Sequence, residues 1–130
     1  MNGFLLDTCV ALWYFAGDSR IPASLCTLLR NPRNRLYFSD VSLLEIVIKH
    51  QLGKLPLPDS PSKIISKWVE AHGMEILPVS SAAILQLENL PSIHRDPFDR
   101  LLICQALVHE LALVTPDPLI QRYTVPMLWD

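Results

Sequence analysis

The fold class this sequence predicts is α/β, a parallel sheet layered between helices, and three observations carry that expectation. Short apolar runs alternate with longer helical patterns along all 130 residues. Strands separated by helices in this way pair in parallel, with helices covering both faces of the sheet. Half of the residues are hydrophobic and 18% are charged, which describes a well-buried globule and excludes a disordered chain. At this length one domain, residues 1–130, is large enough to close a core without disulfide or metal staples.

Each element follows in turn. Phe4, Leu5 and Leu6 form a buried first strand ending at Asp7, and the helix after it carries Trp13, Tyr14 and Phe15. A polar turn over 31–35 precedes a second strand of Leu36, Tyr37 and Phe38, and a helix over 41–51 comes next. Residues 55–61 contain three prolines and read as a rigid connector. The helix over 61–72 has Ser60 as N-cap and Pro61 at its first position. Its Ile64, Ile65, Trp68 and Val69 make one apolar stripe, while Lys63, Lys67 and Glu70 face water. A third strand is expected over 76–79, where Pro78 suits an edge strand or a strand end. A helix over 81–88 follows. The helix over 97–110 opens on Asp96 and Pro97 and is apolar on nearly every side, so it is deeply buried. It runs directly into a fourth strand over 111–115. Asp117 and Pro118 begin a last short helix, and the fifth strand lies over 125–129.

Several function classes are excluded or made remote. No run reaches the roughly eighteen apolar residues of a membrane span, and the N-terminus has no signal-peptide pattern. Three cysteines, Cys9, Cys26 and Cys104, are an odd number without a close pair, which suits reduced thiols in a cytoplasmic protein. A net charge of −2 provides no global attraction for nucleic acid, so any such contact is local.

The acids are the informative residues. In an open α/β sheet, functional groups collect at the carboxyl ends of the strands. Asp7 ends the first strand, Glu45 lies in the first turns of the helix after the second, and Asp117 follows the fourth by two residues. The helix over 97–110 has its C-terminus at the opposite edge, and its fourteen residues rise about 21 Å, so its first turn, with Asp99, returns to the same rim. Individually the acids have structural readings. Asp96 and Asp117 precede prolines as N-caps do, Asp99 faces a helix dipole, and Glu45 can pair with Lys49 at i, i+4. Asp7, closing an apolar strand, has no evident packing role. Convergence is what those readings leave unexplained, because clustered carboxylates repel unless a cation joins them. A donor set of oxygens alone suits Mg²⁺ or Mn²⁺ and phosphoryl chemistry with one or two metal ions. His50, His72, His94 and His109 show no ligand spacing and read as surface or capping residues.

Taken together, these segments resemble the PIN-domain family, in particular the VapC-type toxin ribonucleases of type II toxin–antitoxin pairs. The resemblance runs from Leu5-Leu6-Asp7-Thr8, through Ser42-Leu43-Leu44-Glu45-Ile46 and Gly53-Lys54-Leu55-Pro56-Leu57, to the distinctive stretch from His94-Arg95-Asp96-Pro97-Phe98-Asp99-Arg100 to Ile103. It ends in Val114-Thr115-Pro116-Asp117-Pro118. It implies a three-layer α/β/α domain with a five-stranded parallel sheet. Asp7, Glu45, Asp99 and Asp117 match the family's acidic quartet around Mg²⁺ or Mn²⁺, with Thr8 and Thr115 as supporting hydroxyls. Asp96 stays outside the metal set. The resemblance also implies an RNA substrate, a homodimer, and a small antitoxin that covers the acidic pocket. Cys9, at a commonly polar position, and Pro116, before the last acid, depart from the usual pattern. For RNA contact the candidates are Lys49, Lys54, Arg95 and Arg100, and Lys49 is the best placed. Trp13, Tyr14 and Phe15 are better suited to core packing than to base stacking.

Three other readings fit less well. A haloacid-dehalogenase phosphatase needs a second Asp where Cys9 stands. A response-regulator receiver needs an acidic pair near Asn2 and Gly3 and a late lysine, yet no lysine lies beyond Lys67. A non-catalytic PIN-like module that binds RNA or protein is the remaining alternative, and the complete quartet argues against it.

Overall fold

A computed structural model describes residues 3–129. Five strands, β1 (Phe4–Leu6), β2 (Leu36–Ser39), β3 (Met74–Leu77), β4 (Ala112–Val114) and β5 (Met127–Leu128), form one parallel sheet in the order β3-β2-β1-β4-β5. The helices are α1 (Thr8–Ala16), α2 (Ala23–Arg30), α3 (Asp40–Gln51), α4 (Pro61–Ala71), α5 (Ser81–Leu85) and α6 (Pro97–His109). The expected α/β class with a five-stranded parallel sheet is therefore what the chain adopts.

Alternation along the central strands builds the layers. Leu5 and Leu113 point to one face with Val41, Leu102, Ile103 and Ala106; Leu6 and Val114 point to the other with Val10, Tyr14, Leu25, Ile65 and Val69. Each fully buried Leu, Ile or Val contributes about 1.5–3 kcal/mol. Phe15 packs on Phe38 and Trp68 at ring separations of 5.8 and 5.6 Å, and Trp13 lies 6.0 Å from Trp129, so the aromatics of α1 belong to the packing. Cys9, Cys26 and Cys104 are all free thiols. No helix among the described residues is long and apolar enough to cross a membrane.

The differences from expectation have local causes. β3 begins two residues early, since Gly73 turns the chain at φ 65 straight out of α4, and it stops before Pro78, which has no N–H to extend the ladder. β5 is confined to two residues after Pro126. The helix expected over 81–88 divides into α5 and a 3₁₀ turn, Gln86–Asn89, and the segment after Asp117 forms only the 3₁₀ turn Ile120–Arg122. Ser60 occupies the N-cap of α4 but its hydroxyl makes no capping bond. α2 was not anticipated: it starts after Pro22 without a side-chain cap and is held by buried Leu25 and Leu29. Gln105, fully buried in the otherwise apolar α6, pairs with the Ser39 hydroxyl and donates to Pro78 O at 3.3 Å.

From β1 the chain steps to β2 and β3 on one side, then to β4 and β5 on the other. The gap between β1 and β4 is thus the switch point of the sheet, where an open α/β fold leaves a crevice beyond its strand ends.

Candidate active site

A cleft of about 360 Å³ opens there, lined by Asp7, Thr8, Cys9, Glu45, Lys49, Lys54, Asp96, Asp99 and Asp117 together with Leu12, Ile46 and Leu55. The four acids expected at one rim all line it, and each arrives from a different element.

Asp7 closes β1, its N–H bonded to Val114 O of β4 at 3.0 Å. Its carboxylate begins α1: Oδ1 accepts from Thr8 N at 2.7 Å, and Oδ2 accepts from the Thr115 hydroxyl at 2.7 Å. Asp7 therefore does have a structural task, as the N-cap of α1. Thr115 in turn accepts from Asp117 N at 3.1 Å, so one hydroxyl ties the first acid to the last. The Thr8 hydroxyl is directed elsewhere, to Ser42 Oγ at 2.9 Å, where it joins α1 to α3.

Glu45 is buried on the second turn of α3, and Lys49 one turn on donates to its Oε2 at 2.5 Å. The other oxygen, Oε1, is buried and has no hydrogen-bond partner among the described residues. Asp96 caps α6, accepting from Phe98 N at 2.8 Å and Asp99 N at 3.4 Å, and this turn presents Asp99 to the cleft. Asp117 accepts from Leu119 N at 2.8 Å through Oδ1. Its Oδ2 faces His94 Nε2 at 2.9 Å, and the same nitrogen is 3.1 Å from Asp99 Oδ2. His94 is thus neither a surface nor a capping residue, as its sequence context suggested. Nothing in histidine spacing reveals it; the only signal is that it opens the distinctive stretch that contains Asp99.

Burial and mutual repulsion set the electrostatics. Asp99 is pushed up to about 7, first by burial and then by Asp7 and Asp96, with His94 opposing. Asp7 is raised by burial, against the hydrogen bonds from Thr115 and Thr8 that favour its charged form. Lys49 is held above its ordinary value, chiefly by its bond to Glu45. Burial, with Asp7 and Asp99 nearby, pushes the Cys9 thiol up to about 12, which removes a thiolate from the available chemistry.

The candidate RNA contacts fall in different places. Lys49 and Lys54 line the cleft, and Arg95 is exposed on the loop before α6. Arg100 instead directs its guanidinium to Pro91 O at 3.0 Å and to His94 O and Leu90 O at 3.4 Å.

The donor set fits a hard divalent cation. Four carboxylates share one cleft, and leaving a buried charged acceptor such as Glu45 Oε1 unmatched costs more than about 1–3 kcal/mol. His94, Asp99 and Asp117 also bring potential ligand atoms within 4.8 Å of one another.

Comparison with known proteins gives a consistent picture. The family model described as PIN domain matches residues 4–125. Among solved structures, the chain is similar to VapBC2 from Rickettsia felis bound to a DNA fragment from their promoter, with TM-score 0.74, 16% identity and 98% of each chain covered. DNA-bound VapBC from Salmonella typhimurium gives TM-score 0.74 at 15% identity, again over 98% of each chain. A toxin–antitoxin complex from Klebsiella pneumoniae gives 0.66 at 14% identity, over 97% of this chain and 96% of that one. At these identities the likeness is one of fold. A comparison with curated proteins by sequence finds no match.

Proposed function

The chain belongs to the PIN-domain family, and from that membership and the geometry of its cleft we propose that it is a Mg²⁺- or Mn²⁺-dependent endoribonuclease. In this reading it is a single-domain cytoplasmic protein and the toxin half of a type II toxin–antitoxin pair. The observation that carries the reading is the convergence of Asp7, Glu45, Asp99 and Asp117 from four elements, with Glu45 Oε1 buried and unmatched. These four residues hold the metal. A divalent cation bound there supplies charge neutralisation at the phosphodiester and activation of water.

The protein's own groups divide the remaining tasks. Thr115 fixes Asp7 and Asp117 in register, and Thr8 anchors α1 to the helix bearing Glu45. Lys49 and Lys54, beside the acids, meet the RNA backbone as point charges, and Arg95 extends that contact outside the cleft. Arg100, given over to the carbonyls of the loop before α6, supports the site more than the substrate. A small antitoxin covers the cleft. Its partnership is supported by the toxin–antitoxin complexes among the structural neighbours. A homodimer forms through α3, where Leu44, Ile48 and Leu52 are exposed at four-residue intervals beside the Glu45 and Lys49 row.

The test is cleavage of a mixed pool of structured RNAs by antitoxin-free protein, with Mn²⁺ or with EDTA. Asp7→Asn, purified identically, is the control. Metal-dependent cutting that the substitution reduces by about 100-fold or more is expected. Equal rates in the variant would sink the assignment, and a folded wild type without cutting or Mn²⁺ binding would leave a non-catalytic binding module.

A further inference from the structure

We infer that His94 is a positioning residue: its Nε2–H bridges Asp99 and Asp117 and competes with a cation for their oxygens. The inference rests on the reading of the cleft as a divalent-metal site.

The tautomer is fixed by the backbone. His94 Nδ1 accepts from Asp96 N at 3.1 Å, so its lone pair is engaged and the ring proton sits on Nε2. That proton faces two carboxylates at once, Asp117 Oδ2 at 2.9 Å and Asp99 Oδ2 at 3.1 Å. A ligating nitrogen must present a lone pair to the metal, and Nε2 presents a hydrogen. His94 therefore stands in for the cation. It is not a further ligand beside the four carboxylates.

The ring is held in place from behind. The His94 and Ile93 N–H groups both donate to the Tyr123 hydroxyl, at 2.7 and 3.1 Å, and that hydroxyl donates to Pro91 O at 2.8 Å. Arg100 fastens the same loop through the carbonyls of Leu90, Pro91 and His94. The His94 side chain is only 11% exposed. Such a clamp, drawn from α6 and from the segment after the 3₁₀ turn Ile120–Arg122, aims one N–H at both Asp99 and Asp117.

A cation held by Asp99 and Asp117 would compete with the Nε2 proton for the same carboxylate oxygens. The apparent metal affinity then contains the cost of breaking the His94 bonds. Relieving that competition raises the apparent affinity roughly tenfold, which corresponds to about 1.4 kcal/mol.

The experiment is Mn²⁺ titration calorimetry at about pH 8 together with metal-free melting, on wild type, His94→Phe and His94→Gln. His94→Phe keeps a ring without a donor. It is expected to lower the metal-free melting temperature and to bind Mn²⁺ roughly tenfold tighter. His94→Gln, whose amide N–H reaches about as far as Nε2, is expected to stay near wild type in both. If His94→Phe does not fold, Tyr123→Phe removes the hydroxyl of the clamp and leaves every carboxylate, and both readouts should move the same way by less. Mn²⁺ heat in wild type with weaker or unchanged affinity in His94→Phe overturns the role of His94 alone. Absence of Mn²⁺ heat in wild type removes the metal reading of the cleft, and the competition with it.

Discussion

At the scale of single residues, the site works by leaving acids in places where they are costly. Asp99 stands at about 7 in the folded, metal-free chain against an ordinary value of 3.8 when unfolded. Between those values the folded state keeps a proton that the unfolded state has already lost, so stability from this group falls as pH rises and the full penalty applies above about 7. Metal-free wild type should therefore melt lower at about pH 8 than at about pH 5, and Asp99→Asn should flatten that slope. Mn²⁺ should stabilise the wild type more at the higher pH, by about 2.7 kcal/mol at one hundred times its dissociation constant. Parallel slopes in the two proteins would show that Asp99 does not carry the penalty. The acids themselves were legible in the sequence because short strand-to-helix connections fix their edge. His94 was not, since its place depends on Tyr123, some thirty residues away, gripping the loop.

At the scale of elements, local chemistry and tertiary packing contribute unequally to what could be read. α6 was legible to within a residue: Asp96 accepts from the first turn and Pro97 needs no partner for its missing N–H. α2 was hidden, because Pro22 offers no capping side chain and only burial of Leu25 and Leu29 against the sheet makes those eight residues a helix. β3 was displaced by two residues because alternation does not show that Gly73 turns so abruptly. The attachment of α6 to β2 was equally invisible, and it has a measurable consequence. Ser39 both caps α3 through Val41 N at 2.9 Å and satisfies Gln105 in α6. Ser39→Ala should cost about 1–3 kcal/mol, since it strands a buried amide oxygen and uncaps the helix that carries Glu45. Chemical denaturation measures this directly. A loss within about 0.5 kcal/mol would mean that Gln105 repacks or finds water.

At the scale of the whole molecule, a chain of net charge −2 concentrates acids in one cleft and sets Lys49 and Lys54 beside them. The fold makes this possible because its switch point brings the ends of β1 and β4 together, while α3 and α6, packed against each other, deliver Glu45 and Asp99. Leu44, Ile48 and Leu52 are exposed on α3, the helix that also carries Glu45, and are the proposed dimer face. Ile48→Asp should give a folded monomer by sedimentation, and a dimer that persists in this variant would place the interface elsewhere.

The most direct test of the central claim is to identify the ends of RNA cut by this protein in Mn²⁺. Attack of water on phosphorus, which a cation held by these carboxylates would promote, breaks one P–O ester bond and leaves a linear monophosphate and a free hydroxyl. Those ends are expected, with no cutting in EDTA or by Asp7→Asn. Cyclic 2′,3′-phosphate ends, or cutting that persists in EDTA, would contradict the claim.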